Sequence, residues 1–301
     1  MENKFVVTGG AGFIGSHLAQ ALYQDNEVVV IDDLSSGKME NLSNIDAEFI
    51  KGGITDIDLL KRGFVDADCV FHLAAIASVQ KSVKDPLGTN KVNVEGTLNV
   101  LKAARDAGVE RVIFASSAAV YGDSPQLPKD EEMRPDPKSP YAVSKLAGEG
   151  YLMAFNEIYG MKNIALRYFN VYGPRQDPSS EYSGVISKFV SAALEGNVPV
   201  IHGDGMQNRD FVYVKDVMRA NVLASDYGKG GVFNIASGKS TSLNELVKII
   251  GQIMGRNVDP IYSDFRPGDI RHSLADISKA KAMGHAPMHS IEEGLRDLVI
   301  N

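Results

Sequence analysis

The stretch Phe5-Val6-Val7-Thr8-Gly9-Gly10-Ala11-Gly12-Phe13-Ile14-Gly15 decides the fold, because it places a glycine-rich loop between a short apolar strand and a helical pattern. The helical pattern continues through Leu18, Ala21 and Leu22. Glycines at these positions permit a tight turn, and they let the backbone approach a pyrophosphate that faces the N-terminus of the helix. The stretch therefore predicts a dinucleotide site, with a purely structural glycine turn as the alternative.

An acidic pair follows the second apolar strand. Residues Glu27 to Ile31 have the pattern of a strand that ends in Asp32-Asp33. This is close to the spacing of about 20 residues at which a carboxylate hydrogen-bonds the ribose diol of a dinucleotide. Because the same carboxylate would repel a 2′-phosphate, the pattern favours NAD over NADP. A solvated acidic pair is the alternative.

Further strand patterns alternate with helical patterns. They cover Ala47 to Ile50, Cys69 to Phe71, Arg111 to Phe114 and Ile164 to Arg167. This alternation predicts an α/β fold, a Rossmann-type doubly wound parallel sheet with helices on both faces. Ligands of such sheets bind outside the carboxyl ends of the strands. The candidate site therefore collects the residues that follow each strand: Gly9 to Ile14, Asp32 to Ser36, Leu73 to Val79, Ala115 to Ser117, and Tyr168 to Asn170.

The alternation stops near Asn170. Residues Val185 to Leu194 have the pattern of an amphipathic helix, and the capping box Ser242 to Glu245 opens another helix. Short strands are expected at Val198 to Ile201 and at Phe211 to Val214. We therefore expect an NAD-binding Rossmann domain over residues 1–169, with a later contribution from about 210–235, and a smaller, mixed C-terminal domain over 170–301 that binds the substrate.

The run Ser139-Pro140-Tyr141-Ala142-Val143-Ser144-Lys145 places a phenol and an ammonium on one face of a helix. Ser139 can cap this helix, and Pro140 suits its first position. A tyrosine becomes a base near neutral pH when its pKa falls from about 10 to about 7, a difference of roughly 4 kcal/mol. Lys145 and a cationic cofactor could supply that difference, although Tyr-x-x-x-Lys also arises by chance.

The composition argues against several kinds of partner and site: nucleic acid, a metal ion, a disulfide and a membrane. A net charge of −7 over 301 residues argues against non-specific nucleic-acid binding. The single cysteine, Cys69, excludes an intrachain disulfide and a multi-cysteine zinc site, and the histidines lack metal-ligand spacing, so no metal is expected. With neither a signal-peptide pattern nor an apolar stretch long enough for a bilayer, we expect a cytoplasmic protein that has no membrane partner.

Together, these motifs are similar to those of a known group of enzymes. The glycine loop, Asp32, the pair Ser116-Ser117 and Tyr141-x-x-x-Lys145 resemble the extended short-chain dehydrogenase/reductase superfamily. Other segments resemble its UDP-hexose 4-epimerases: Leu166 to Arg175, Arg209 to Val214, and Arg266 to Asp269. The runs Arg167 to Pro178 and Arg271 to Lys279 look closest to UDP-N-acetylglucosamine 4-epimerases. The resemblance covers nearly the whole chain.

The resemblance implies a role for each catalytic residue. Tyr141 would be the base, Ser117 would hydrogen-bond the 4-oxygen of the sugar, and Lys145 would hold the nicotinamide ribose. The expected NAD contacts are Gly9, Gly12, Phe13, Ile14, Asp32, Asp33, Ser35, Ser36, Gly37, Ile54, Leu73, Ala74, Ala75, Asn93, Ala115, Tyr141, Lys145 and Tyr168. The expected contacts with a UDP-sugar are Ser78, Ser117, Tyr141, Asn170, Val185, Val200, His202, Arg209, Arg266, Asp269 and Ser273.

The chain departs from the family pattern at two places and refines it at a third. Gly53 stands where family members often have an aspartate near the adenine amino group, so NAD affinity is expected to be lower. Ala118-Ala119 stands where dehydratases carry an acid pair, so dehydration is disfavoured. Ser273 stands at the position that resembles the one where glucose-restricted epimerases have a bulky tyrosine. The smaller serine is expected to leave room for an N-acetyl group.

The expected activity is inversion of C4 of a UDP-hexose through a 4-keto intermediate, most of all UDP-N-acetylglucosamine and its galactosamine epimer, and also UDP-glucose and UDP-galactose. Alternative functions are an epimerase of UDP-glucose only, an epimerase of a UDP-uronic acid or UDP-pentose, a reductase that consumes its cofactor, and a non-catalytic NAD-binding regulator.

The resemblance also implies a homodimer formed through the helices at Asn93 to Ala107 and Tyr141 to Ile158, where Gly148 and Gly150 would permit close packing.

Overall fold

A computed structural model describes residues 3–177, 184–265 and 271–300. Within these ranges the strands are β1 (Lys4–Thr8), β2 (Glu27–Asp32), β3 (Glu48–Lys51), β4 (Cys69–His72), β5 (Arg111–Ser117), β6 (Ile164–Tyr168), β7 (Asn170–Tyr172), β8 (Val200–His202), β9 (Asn208–Arg209), β10 (Phe211–Tyr213), β11 (Gly231–Ile235), β12 (Thr241–Ser242) and β13 (Ile261–Ser263).

The α-helices of the same ranges are α1 (Phe13–Leu22), α2 (Ile57–Gly63), α3 (Val79–Lys84), α4 (Pro86–Asn90), α5 (Gly96–Asp106), α6 (Pro140–Tyr159), α7 (Val185–Leu194), α8 (Val214–Asp226), α9 (Leu243–Met254), α10 (Ser278–Ala282) and α11 (Ile291–Ile300). A π-helical turn at Lys91–Glu95 joins α4 to α5. None of these helices is both long enough and apolar enough to cross a bilayer.

The central sheet of the described residues has seven parallel strands in the order β11-β6-β5-β4-β1-β2-β3. The predicted doubly wound parallel sheet is confirmed, and all six predicted strands lie in it. The strand order reverses between β1 and β4, which is where such sheets bind dinucleotides. The seventh strand, β11, was not predicted, and it extends the sheet beside β6.

Helices cover both faces of this sheet. Val6 and Val7 are both fully buried, but they belong to separate apolar clusters because neighbouring strand residues point to opposite faces. Helices α1 and α8 lie on the face of Val7, and α2, α5 and α6 lie on the face of Val6. The outcome is a three-layer arrangement whose strands all end at one edge, at which the loops collect.

Helix α6 begins as the sequence predicts, and one of its glycines packs directly against the sheet. Ser139 Oγ accepts the N–H of Ala142 at 3.2 Å, and Pro140 is the first helical residue. A Cβ on Gly148 would lie 2.6 Å from Phe114 Cζ, so this glycine faces the sheet. The prediction that Gly148 serves helix packing between subunits is therefore wrong, whereas Gly150 is exposed with open space around it.

The C-terminal half builds a third apolar cluster. It joins α7, α9 and α11 to β7 and β10, with Phe189, Leu246 and Leu295 among its buried side chains. The predicted helix α7 and the capped start of α9, where Ser242 Oγ accepts the N–H of Glu245 at 3.1 Å, are confirmed. The two short strands predicted here appear as β8 and β10, with ends shifted by one or two residues. Phe13 and Ile14 pack against this cluster, so the glycine loop lies between the two halves.

Candidate active site

A cavity of about 300 Å³ opens at the carboxyl end of the sheet. Five of the predicted substrate-site residues line its wall: Ser117, Tyr141, Asn170, Arg209 and Ser273. They come from the end of β5, the start of α6, the start of β7, β9 and the segment before α10. The remaining lining residues are Ala77, Val79, Ala118, Ala119, Tyr121, Gly122, Lys129, Tyr168, Phe169 and His272.

Tyr141 and Ser117 form a pair on this wall. Tyr141 is the second residue of α6, and its backbone N–H donates to the buried Ser82 Oγ at 3.1 Å. Both side chains line the cavity, and hydrogen bonding by the Ser117 hydroxyl favours the ionised form of the Tyr141 phenol and so lowers its pKa. Ser117 Oγ also accepts the N–H of Ala119 at 3.2 Å, which fixes its direction. A proton can therefore pass between the two hydroxyl oxygens at the cavity wall.

Lys145 lies one helical turn beyond Tyr141 and is 4 % exposed. Its ammonium donates to the carbonyl oxygen of Ala115 at 2.7 Å. The Nζ atom is 4.8 Å from the ring centre of Phe114 and 5.8 Å from that of Tyr141. Burial lowers the pKa of Lys145 to about 7, and the negative charge of Glu149 opposes this shift.

The glycine loop packs closely against the segment that follows β4. Gly9 has a φ of +73°, and a Cβ there would lie 2.7 Å from the backbone nitrogen of Ala74. Gly12 caps α1 without any side-chain hydrogen bond, so the N–H groups of the first turn are left to an outside acceptor. Because glycine has no Cβ, glycines in this loop let a phosphate group approach the N-terminus of the helix closely.

Asp32 lies at the end of β2, beside this loop. Its Oδ2 accepts the N–H of Ala11 at 3.0 Å, and its Oδ1 accepts the N–H of Leu34 at 2.8 Å. A Cβ on Gly37 would lie 2.9 Å from both Ala11 Cβ and Asp32 Oδ1, so the loop after β2 folds closely over the glycine loop. Each carboxylate oxygen keeps a lone pair for a ribose hydroxyl, so the cradle fits a dinucleotide.

Comparison with known proteins identifies the family. A sequence model described as the NAD dependent epimerase/dehydratase family matches residues 5–236. The chain belongs to this family. Its NAD dependence agrees with the glycine cradle and Asp32, so the predicted cofactor is confirmed.

Individual members of the epimerase/dehydratase family are similar over nearly their whole lengths. The UDP-N-acetylglucosamine 4-epimerase from Methanobrevibacter ruminantium M1, solved with UDP-N-acetylmuramic acid, is 48 % identical, with a TM-score of 0.97 over 100 % of this chain and 98 % of that one. The Thermotoga maritima UDP-glucose 4-epimerase, solved with UDP-glucose, is 44 % identical, with a TM-score of 0.95 over 99 % and 97 % of the two chains. A putative UDP-glucose 4-epimerase of Methanocaldococcus jannaschii is 43 % identical over 98 % of this chain and 96 % of its own length.

The protein's own groups leave the pKa of Tyr141 above the ordinary value of a tyrosine. Burial raises it above its ordinary value, and the hydrogen bond with Ser117 opposes that shift. The residues of the chain therefore do not lower this pKa towards neutrality by themselves. A cationic cofactor beside the phenol would add the positive charge that favours the phenolate, in line with the sequence-based expectation.

The other predicted NAD contacts of this epimerase/dehydratase-family chain lie near strand ends, in the core or on the cavity wall. Six of them lie just after β2 or β4: Asp33, Ser35, Ser36, Leu73, Ala74 and Ala75. The Oδ1 atom of Asp33 accepts the N–H of Ser35 at 2.8 Å. Ala115 lies within β5, near its end. Ile54 instead lies in the core, because its 3 % exposed side chain packs against Gly96. Tyr168 lines the cavity, and its hydroxyl donates to Asn221 Oδ1 at 2.8 Å.

Asn93 lies in the π-helical turn and has its side chain fully engaged within the protein. Its Oδ1 accepts the N–H of Ile76 at 2.8 Å, and its Nδ2 donates to Ile76 O and to Ser144 Oγ, each at 3.0 Å. The side chain thus ties the segment after β4 to α6. Asn93 holds the expected site together rather than presenting a free polar group to it.

The remaining predicted substrate contacts lie around the cavity or outside it. Ser78 caps α3 by accepting the N–H of Lys81 at 3.0 Å, and its two chain neighbours line the cavity. Val185, Val200 and His202 begin α7 or lie in β8, and they are not among the lining residues of the described chain. Arg266 and Asp269 lie outside the described residues.

Lys129 is a lining residue that the sequence analysis missed. It is 4 % exposed, and its ammonium donates to the carbonyl oxygen of Ser124. Its backbone forms a parallel bridge with Ala275, so residues far apart in sequence bury it. A lysine after Pro128 in a proline-rich loop looks like a solvated charge, and no local pattern indicates otherwise.

Ala118 and Ala119 line the cavity directly after Ser117. Methyl groups cannot donate or accept a proton. The wall therefore has no acid pair directly after Ser117, and a lack of dehydration remains a prediction.

Proposed function

We propose that the chain is an NAD-dependent isomerase that inverts C4 of UDP-N-acetylglucosamine and UDP-N-acetylgalactosamine, and also interconverts UDP-glucose and UDP-galactose. One observation carries this proposal. Tyr141, Ser117 and the cationic Arg209 line one cavity at the carboxyl end of the sheet, the edge at which the glycine loop follows β1. A base, a diphosphate-binding cation and a dinucleotide site then meet at one edge of the sheet.

The protein's own groups supply the proton chemistry. Tyr141, as phenolate, takes the proton of the 4′-hydroxyl directly or through Ser117, and Lys145 stabilises the phenolate and holds the nicotinamide ribose. Held by the glycine loop and Asp32, bound NAD would supply the hydride acceptor and donor that C4 needs and that no side chain of the protein provides. Tyr141 gives its proton back after the 4-keto sugar has turned, so that the returned hydrogen reaches the opposite face.

The nucleotide part of the substrate serves as a handle. Asn170 and Arg209 line the cavity and are suited to hold the UDP group while the sugar turns, since charge-assisted hydrogen bonds to phosphate are strong. Binding energy from this non-reacting part keeps the intermediate in place. We assign NAD to residues 1–169 with a contribution from 210–235, and the UDP-sugar mainly to residues 170–301.

The preference for an acetylated sugar rests on Ser273. This small side chain lines the cavity, where a tyrosine would fill the space that an N-acetyl group needs. Ser273→Tyr should lower turnover of UDP-N-acetylglucosamine by at least about tenfold while it spares UDP-glucose. Ser273→Ala is the matched control, and it should turn over both sugars. Equal loss on both sugars in the tyrosine variant would contradict this assignment.

The proposal is tested by incubating purified protein with UDP-N-acetylglucosamine and, separately, with UDP-glucose, without added NAD. Resolving the products by NMR should show the C4 epimer of each sugar, with no net accumulation of reduced cofactor. Failure to produce an epimer from any UDP-sugar would favour the non-catalytic regulator. Net consumption of added cofactor would favour a reductase.

We further propose that the enzyme is a homodimer that pairs through α6. Four large apolar or aromatic side chains of this helix are exposed: Val143 (52 %), Tyr151 (38 %), Ile158 (68 %) and Tyr159 (46 %). Covering such a face removes apolar surface from water. Light scattering should give twice the chain mass, and Ile158→Asp should shift it to the monomer mass. The cytoplasmic location remains a prediction.

A further inference from the structure

A buried carboxylate joins three elements directly behind the cavity wall. Glu149 of α6 accepts hydrogen bonds from Ser116 Oγ at 2.5 Å, from Arg167 Nε at 2.9 Å and from Arg167 Nη2 at 2.8 Å. Ser116 belongs to β5, and Arg167 belongs to β6. The three side chains are each between 3 % and 4 % exposed, so this is a fully enclosed cluster.

The cluster continues to two further residues that line the cavity. Arg167 Nη1 donates to the hydroxyl of Tyr121 at 2.9 Å, and that hydroxyl donates to Asn234 Oδ1 at 2.6 Å. Asn234 Nδ2 in turn donates to the carbonyl oxygen of Lys129 at 2.9 Å. Tyr121 and Lys129 both line the cavity. The hydrogen bonds therefore form one connected path from α6 to the cavity-lining residues Tyr121 and Lys129.

The cluster adjoins all three catalytic side chains. Ser116 directly precedes Ser117, which is the hydrogen-bond partner of Tyr141. Glu149 follows Lys145 by four residues and Tyr141 by eight, so the three share one face of α6. A shift of Ser116 or Glu149 would change the distance between β5 and α6, and with it the contact between Ser117 and Tyr141.

Stability alone does not account for this buried ion pair. Taking two charges out of water costs several kcal/mol per ion, and well-packed apolar replacements of such pairs are often neutral or stabilising. Glu149 also has no direct chemical task, since it is not among the cavity-lining residues of the described chain. What the pair does provide is directional hydrogen bonding that fixes the spacing of β5, β6 and α6.

We propose that Glu149 is a positioning residue: by bridging Ser116 and Arg167, it holds the end of β5 against α6 and so keeps Ser117 and Lys145 in place around Tyr141. For its kinetic consequence this inference rests on the proposed epimerase function. The expected change in the pKa of Tyr141 does not depend on that function.

The charges around this site give the direction of the effect. Lys145 faces Tyr141 and Glu149 on its own helix and His72 on β4, while Arg167 of β6 is held by Glu149. The hydrogen bond from Ser117 lowers the pKa of Tyr141, and the nearby ammonium favours the phenolate. Displacing either group should therefore raise the pKa of Tyr141.

The test uses NAD-loaded protein and the variants Glu149→Gln and Ser116→Ala. Tyrosinate absorbance is titrated with pH, and the same titration of Tyr141→Phe protein is subtracted to isolate Tyr141. We expect the midpoint of Tyr141 to rise by about one pH unit in Ser116→Ala, which changes no charge, and by less in Glu149→Gln, where loss of the carboxylate charge itself favours the phenolate. On a UDP-sugar, the acid limb of kcat should move by the same amount as the midpoint, so kcat below the midpoint should fall about tenfold in Ser116→Ala with KM and NAD content unchanged.

Glu27→Gln is the matched control, because it removes the surface ion pair with Lys4 by the same chemical change far from the cavity. It should leave the Tyr141 titration unchanged. A merely structural role of Glu149 would lower the melting temperature but leave the Tyr141 midpoint and kcat per NAD-loaded site at wild-type values, which would overturn the proposal.

A second pair of measurements keeps the test decisive if Glu149→Gln does not fold. Ser116→Ala removes only the link to β5 and leaves the ion pair intact, so an unchanged Tyr141 midpoint in that variant would overturn the proposal. If wild-type protein epimerises no UDP-sugar, the proposed function fails, while the absorbance titration still decides the role of Glu149.

Discussion

Tyr141 has an environment that opposes its ionisation unless other groups intervene. Burial raises its pKa, whereas the hydrogen bond with Ser117 and its place in the first turn of α6 both favour the phenolate. Lys145 Nζ, 5.8 Å from the ring centre, adds a third favourable contribution. A base that depends on several small contributions is sensitive to the loss of any of them.

Tyr141→Phe should abolish epimerisation, because the ring keeps its packing but can no longer take the proton of the 4′-hydroxyl. Turnover should fall by at least about 10²-fold, as expected for the loss of a general base. NAD content, measured by absorbance after denaturation, should stay at the wild-type level. Tyr151→Phe, at a 38 % exposed position of the same helix, is the control and should keep full turnover. Near-normal turnover of Tyr141→Phe would contradict the assignment of the base.

Gly53 offers room for the carboxylate that family members often carry there. A Cβ at Gly53 would lie 3.7 Å from Asp33 Oδ2, which is ordinary contact. A hydrogen bond from the adenine amino group to a carboxylate contributes about 1.5–3 kcal/mol, and repulsion from the exposed Asp33 costs less than about 1 kcal/mol. Gly53→Asp should therefore tighten NAD binding about fivefold in calorimetric titrations. Gly53→Ala should change it little, and weaker binding of the aspartate variant would refute the adenine contact.

At the scale of elements, α6 combines catalysis with close packing against the sheet. Tyr141, Lys145 and Glu149 lie along one face, and Gly148 brings the helix backbone onto the ring of Phe114. The same ring lies beneath the ammonium of Lys145. The distance between helix and sheet therefore fixes the height of the catalytic lysine.

Gly148→Ala should be destabilising, because its Cβ would lie 2.6 Å from Phe114 Cζ and force α6 away from the sheet. We expect a loss of about 1–3 kcal/mol in the free energy of unfolding, measured with urea, together with lower turnover. Gly150→Ala is matched in chemistry and helix, but a Cβ there meets no atom within 4 Å. It should be neutral or up to about 1 kcal/mol more stable. Equal effects of the two substitutions would show that α6 is not packed as described.

At the scale of the whole molecule, a buried histidine links the two sides of the strand-order reversal. His72 Nδ1 is 2.8 Å from Thr8 Oγ1, and Nε2 is 2.9 Å from Thr97 Oγ1. Since the Thr97 hydroxyl donates to Asn93 O at 2.6 Å, it accepts from His72, which places the ring proton on Nε2. The neutral ring therefore satisfies both hydroxyl groups and connects β1, β4 and α5.

This histidine makes stability depend on pH. Burial lowers the pKa of His72 from 6.5 to about 3, so the unfolded chain takes up a proton below about pH 6.5 while the folded protein does not. The contribution of His72 to the free energy of unfolding is fully present above pH 6.5. It falls with decreasing pH by up to about 1.4 kcal/mol per pH unit. Asp210, whose pKa burial raises to about 6, acts in the opposite sense, so the contribution of His72 must be measured as a difference.

His72→Gln should cost stability at pH 7.5 but lose this pH dependence. Between pH 7.5 and 5.0, the difference in unfolding free energy should move in favour of the variant by roughly 2 kcal/mol. Urea unfolding of both proteins across this range measures the change. His272→Gln, at an exposed position, should leave the pH dependence as it is in the wild type. Parallel pH curves for His72→Gln and wild type would show that His72 is not held neutral.

Local sequence patterns by themselves determined the Rossmann-type half and the identity of its motifs. Strands β1 to β6, the glycine loop, Asp32 and the capped start of α6 each depend on residues within about one or two turns of one another, so hydrophobic period and capping chemistry predict them. The same is true of α7, whose ends were predicted to the residue.

Only the tertiary structure decided which distant residues meet. The pairing of β11 with β6, the bridge from Lys129 to Ala275, and the bonds from Glu149 to Ser116 and Arg167 join residues 18 to 146 positions apart. Whether Gly148 faces the sheet or the solvent likewise depends on how α6 is rotated. Periodicity shows that a residue is buried or exposed, but its partner depends on the order of the strands and on the packing of helices across them.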